Sequence, residues 1–181
     1  MPRAPDIPAG YRRPARLLHW LIAIIVIGLI PVGITMGNLD GGPLQDRLYD
    51  LHRSFGFTVL VLAALRLAYR LSHTPPPLPA SVPAPLRVAA GVVHATMYAL
   101  LLATPIIGWL ATNAYGAPIS VFGLFELPVL VAKNEATADV LFAIHRALGL
   151  AFGALILLHV GAAIGHALVF RDGVLHRMWP P

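Results

Sequence analysis

An all-α transmembrane four-helix bundle with both termini cytoplasmic is the fold this sequence predicts, and three observations predict it. Residues of the AVILMFWYC set fill 57% of the 181 positions and charged residues only 12%, about half the 25% of an average soluble domain. A fold with so little charge cannot cover a water-facing surface, so the solvent it suits is the bilayer. Four apolar stretches each offer about the 20 residues that cross a bilayer as a helix. Basic residues concentrate on alternate connections, as the positive-inside rule requires.

The first span covers residues 16–37. Arg3, Arg12, Arg13 and Arg16 precede it, as in a signal peptide, but the apolar run is long and lacks an A-x-A cleavage pattern, so a retained helix is expected. The break at 38–50 holds Gly41, Gly42, Pro43 and three acids. The second span covers 51–71. The connection at 72–85 carries six prolines and reads as an extended linker. The third span covers 86–112. In the 113–137 break, an apolar centre at 119–131 with Gly123 and Pro128 is too short to cross, which predicts a folded-back loop or an interfacial segment. The fourth span covers 138–170, and the chain reads as one integral-membrane domain over 1–181.

Nine of the thirteen Lys and Arg residues fall on the side of the termini and the Pro-rich linker, and four (Arg47, Arg53, Lys133, Arg146) on the other. Six of the eight acids lie on that second side. Both termini are therefore expected in the cytoplasm, and a bacterial inner membrane with periplasmic loops is the natural setting. The net charge of +5 is dispersed between apolar runs, so no nucleic-acid partner is expected. The absence of cysteine excludes disulfides, iron–sulfur clusters, thiolate zinc sites and C-x-x-C-H haem attachment. Histidine is the remaining soft metal ligand, and there are eight.

An ionisable residue inside a span defaults to a functional role. His145 and His159 stand fourteen residues apart on the fourth span, which brings them within about 40° of one face and separates them by roughly 21 Å. His19 on the first span shares the cytoplasmic depth of His159. His52 on the second shares the periplasmic depth of His145. Two imidazole pairs stacked across a bilayer suit two bis-imidazole haems b, a ligation that leaves no open iron site and favours electron transfer. The motif H-R-small-apolar-G-apolar occurs twice, as His52-Arg53-Ser54-Phe55-Gly56-Phe57 and His145-Arg146-Ala147-Leu148-Gly149-Leu150. Gly56 and Gly149 are expected to let a flat porphyrin approach the backbone. Arg66, fourteen residues after His52, points toward the cytoplasmic level as a propionate partner. Arg70 reads as a topological anchor, and Gly33 faces the periplasmic level. Arg53 and Arg146 read as propionate partners or as side chains snorkelling to water. His94 is the alternative ligand to His19. His166 and His94 are candidates for proton delivery to a quinone. His73 and His176 are expected to be solvated.

At these residues the sequence resembles the prokaryotic cytochrome b561 family over nearly its whole length. The matching pieces are Leu18-His19-Trp20, His52-x-x-x-Gly56, Arg66 through Arg70, the Pro-rich linker, His94, Pro105-Ile106-Ile107-Gly108, His145-Arg146-x-Leu148-Gly149, Leu158-His159 with His166, and the tail with Asp172 and Leu175 to Met178. The resemblance implies a four-helix membrane bundle holding two b-type haems on His19, His52, His145 and His159. It implies one of two jobs. Some members resemble an enzyme passing electrons from periplasmic superoxide to ubiquinone, and compact length favours this reading. Others anchor a periplasmic dehydrogenase or hydrogenase to the quinone pool. A small His-lined membrane transporter is the reading outside the haem class. The partners expected are lipid, quinone, and superoxide or a periplasmic redox protein.

Overall fold

The computed structural model describes residues 10–179; Arg3, which enters the charge tally above, lies outside them. Four long helices carry the chain back and forth: α1 (Arg13–Met36), α2 (Pro43–Ser72), α3 (Ala84–Tyr115) and α4 (Glu135–Gly165). All four are long and apolar enough to cross a membrane. Each packs against its sequence neighbour, and α4 returns to touch α1. The first and last described segments meet, since Tyr11 N–H donates to the Arg177 carbonyl at 3.0 Å.

Local chemistry sets the helix ends. Gly41 and Gly42 take positive φ (+99° and +98°), and Pro43 opens α2 at the position where a missing N–H does no harm. The second helix thus begins at Pro43 instead of residue 51. Its first two turns carry Gln45, Asp46, Arg47 and Asp50, polar residues that a helix tolerates where it leaves the membrane. Proline also opens α1 and α3, so the extended Pro-rich connection ends by Pro83 and the last proline of the run is helical. Gly116, at φ +91°, closes α3 in the left-handed conformation. Asn134 caps α4, its Oδ1 accepting from Thr137 N–H at 2.9 Å. Past Gly165 the helix widens into one π-helical turn (His166–Phe170), stopped by Arg171 at φ +50°, and a 3-10 turn follows over Leu175–Arg177.

The 113–137 break folds back as expected. A two-stranded antiparallel hairpin, β1 (Ser120–Val121) and β2 (Phe125–Glu126), pairs Ser120 with Glu126 and Val121 with Phe125. Ser54 on α2 pins it: its buried Oγ accepts from Phe122 N–H at 2.9 Å and donates to the Ser120 carbonyl at 3.3 Å. Asn113 Oδ1 accepts from Leu130 N–H at 2.9 Å, and Trp109 Nε1 donates to the Pro128 carbonyl at 3.1 Å.

Between the two ends, Ile22, Val26, Val59, Ala63, Leu101 and Phe152 form the buried core. Leu17, Ile24, Leu65, Leu157 and Leu158 stay exposed on the outer faces. An apolar surface of this extent belongs against lipid.

Candidate haem sites

Helix geometry carries the four in-span histidines to two levels. Val26, Val59 and Phe152, each seven residues from a histidine on its own helix, are part of the core, so the core separates the levels by about two turns on either side. At the hairpin end, the rings of His52 and His145 lie with centroids 6.0 Å apart and planes at 80°. At the end carrying the termini, His19 and His159 lie 6.2 Å apart at 76°. All four are partly buried.

The partners of each ring differ. His145 Nδ1 donates to the Thr104 carbonyl at 2.9 Å. A carbonyl can only accept, so Nδ1 holds the proton and the lone pair sits on Nε2. His52 Nδ1 is buried and makes no hydrogen bond. Both rings press on glycines of neighbouring helices. A Cβ at Gly33 would stand 3.0 Å from His52 Cε1, and one at Gly108 would stand 2.8 Å from His145 Cε1. Sequence reasoning placed Gly33 at this level but gave Gly108 no role. The signal available was the internal proline shared by both helices: Pro31 precedes Gly33 on α1 and Pro105 precedes Gly108 on α3. Gly56 and Gly149 lie elsewhere, and a Cβ on either would meet nothing within 4 Å. That leaves room beside both helices where the sequence had placed a flat ring.

A third imidazole joins the lower level. His94 on α3 lies 5.4 Å from His159, with planes at 70°. Among the described residues no three His, Cys, Asp or Glu side chains form a group able to hold a metal ion.

The arginines divide in use. Arg66 donates from a guanidinium nitrogen to the Ala15 carbonyl and lies close enough to His19 and His159 to influence both. Arg70 sits over the Tyr98 ring, 5.7 Å from its centroid. Arg53 lies 3.9 Å from Asp50 and 5.3 Å from the Tyr49 ring centroid, while Arg146 is exposed. His166 falls in the π-turn, where its Nδ1 donates to Asp172 Oδ2 at 2.6 Å. The turn ends the α-helical register that would have continued the stripe of His159. His176 is exposed as expected, but His73 is not simply solvated. It is half-buried and stacks on Tyr69 at 4.1 Å with planes at 9°. Arg177, read from sequence as part of a tail, is buried at 3% exposure and bonds the Pro76 carbonyl.

A model of the prokaryotic cytochrome b561 family matches residues 10–181. The chain belongs to that family. It is 35% identical over 177 residues to cytochrome b561 homolog 2 of Escherichia coli K12, covering 96% of this chain and 93% of the relative. It is 32% identical over 166 residues to the probable superoxide oxidase CybB of Yersinia pestis, covering 90% and 92%. A third relative, cytochrome b561 homolog 1 of E. coli K12, is 28% identical over 170 residues. Membership makes the protein a multi-pass bacterial membrane protein of electron transfer, and it implies haem b as cofactor.

The paired residues fit that group. Two metal–imidazole bonds of about 2 Å, with about 1.1 Å more from nitrogen to ring centre on each side, would set two imidazoles sharing one metal roughly 6.2 Å apart between centroids. The observed separations of 6.0 and 6.2 Å agree with this. The donor chemistry agrees as well, since neutral imidazole ligates iron without placing charge in the membrane.

Proposed function

We propose that the protein is a di-haem oxidoreductase of the bacterial inner membrane that passes electrons from periplasmic superoxide to ubiquinone, with residues 1–181 forming one domain and both termini cytoplasmic. The observation that carries this reading is the pair of imidazole couples stacked along the bundle at near-equal separations. His52 and His145 would hold the periplasmic haem, and His19 and His159 the cytoplasmic one. Haem held there would supply one-electron transfer at iron.

The chain's own residues prepare both sites. Thr104 fixes the ring and tautomer of His145, which leaves the Nε2 lone pair free for a metal. Val26, Val59 and Phe152 exclude water between the levels. Arg66 is placed to neutralise a propionate at the lower level, and Arg53 and Arg146 to do so at the upper, where Asp50 competes for Arg53. Gly56 and Gly149 leave space for a flat ring. His166, held by Asp172, and His94 are placed to hand protons to quinone. The balance is two superoxide anions each giving up one electron and leaving as dioxygen, while ubiquinone takes two electrons and two protons.

The name of the Yersinia relative supports the superoxide reading. A second reading, a cytochrome b subunit linking a periplasmic dehydrogenase or hydrogenase to the quinone pool, draws support from the hairpin, where Phe122, Leu124 and Val129 are exposed. The test is catalytic. Purified protein in detergent is expected to reduce a soluble ubiquinone analogue while superoxide is generated. The rate should fall as salt rises, because attraction of an anion by Arg53, Arg146 and Lys133 is screened beyond about 10 Å at 0.1 M. Protein inert to superoxide that copurifies with a periplasmic dehydrogenase would decide for the subunit.

A further inference from the structure

The end of the bundle that carries the termini holds a cavity of about 190 Å³ between the start of α1, the last turns of α2, the Pro-rich connection and α3. Arg12, Arg66 and Arg70 line it together with Tyr11, Tyr69 and Tyr98, and no Asp or Glu is among the lining residues described. Arg70 meets the Tyr98 ring face and Arg66 the Ala15 carbonyl, neither of which carries negative charge. The first turn of α1 begins at the same wall with no side-chain cap, so the positive end of its dipole adds to the field. Arg12 and Arg70, with no described carboxylate in the lining, make a site that an anion completes.

Depth and size narrow the anion. Most of the lining comes from the first turn of α1, the last two turns of α2 and the linker, with Tyr98 reaching in from the middle of α3; Leu17 and Leu71, on the same two helix ends, are exposed, as lipid-facing residues would be. Basic pockets between spanning helices take anionic headgroups. The volume is below the roughly 300 Å³ at which sites for drug-sized ligands begin, so a phosphate fits inside and acyl chains would lie along the apolar outer faces. His19 and His159 do not line the cavity; Arg66, which the proposed function gives to a propionate, forms the wall it shares with the lower haem site. We propose that this cavity binds the phosphodiester headgroup of an anionic phospholipid, with Arg12 and Arg70 on the phosphate and Arg66 closing the inner wall.

Native mass spectrometry of the haem-loaded protein with dioleoylphosphatidylglycerol, dioleoylphosphatidylcholine or inorganic phosphate tests this. Retention of phosphatidylglycerol over phosphatidylcholine is expected, with free phosphate unable to displace it. Arg12→Gln and Arg70→Gln should each weaken retention about fivefold, from about 1 kcal/mol per basic residue near the surface. Arg70→Lys should restore most of it, and Arg171→Gln, exposed at the same end, should change nothing. Haem content should stay constant throughout. Equal retention of the two lipids, or equal behaviour of Arg70→Gln and Arg171→Gln, would overturn the proposal. Displacement by inorganic phosphate would overturn the lipid source in favour of a soluble anion. Loss of haem in Arg70→Gln would give the cavity to the cofactor.

Discussion

His52→Ala and His145→Ala are each expected to remove one haem, and the same one, while His19→Ala and His159→Ala each remove the other. The pairing follows from ring separations of 6.0 and 6.2 Å at two levels of the bundle. Haem content of each variant should fall to about half that of the parent, because a single remaining imidazole leaves one axial position of the iron empty. Potentiometric titration identifies which haem survives, since the two levels differ in neighbours. Arg66 stands near the lower pair, and Thr104 bonds a ring of the upper one. His94→Ala should keep both haems. Its ring approaches His159 to 5.4 Å, so loss of a haem from that variant with His19→Ala neutral would move the ligand from α1 to α3. Different haems lost by His52→Ala and His145→Ala would break the pairing altogether.

Gly108→Ala should weaken the upper haem by roughly 10–100-fold, the range found when groups supporting a metal ligand are altered. The new Cβ would stand 2.8 Å from His145 Cε1 and 2.9 Å from Nδ1. The ring cannot back away freely, because its Nδ1 bonds the Thr104 carbonyl one turn earlier on the same helix. Gly33→Ala should act on the same haem through His52 and more gently, at 3.0 Å. Gly28→Ala, with nothing within 4 Å of the added carbon, serves as control. Helix propensity alone favours alanine over glycine by about 1 kcal/mol, so Gly28→Ala should stabilise slightly, while at Gly108 and Gly33 the contact with the ring opposes that gain. Haem occupancy and the haem spectrum separate the two effects: unchanged occupancy in Gly108→Ala would show that His145 does not depend on this contact.

The parts legible in the sequence were those set by helix geometry within one segment. Fourteen residues return to nearly the same face whatever surrounds the helix, so His145 and His159 could be placed on one stripe, and the depths of His19 and His52 followed from span order. Span boundaries were less legible. An apolar window stops at Asp50, whereas the helix runs back to Pro43, where Gly41 and Gly42 turn the chain. What depended on the rotation of one helix against another was hidden. His94 could be placed at the depth of His159 as an alternative ligand, but Gly108 under His145 requires knowing which face of α3 meets α4. Tail packing was hidden for the same reason. Arg177 is buried through contacts with the linker and the N-terminal segment, and His73 finds Tyr69 one turn before it. The helix could be continued on paper to residue 170, but it widens into a π-turn at His166, whose ring bonds Asp172, a residue beyond the apolar run.

A dithionite-reduced minus oxidised spectrum of the purified protein, combined with a pyridine haemochrome count, bears most directly on the two-site reading. The account predicts b-type bands and two haems per chain. One haem per chain would leave one imidazole pair without its cofactor, and no haem would contradict the assignment of both pairs.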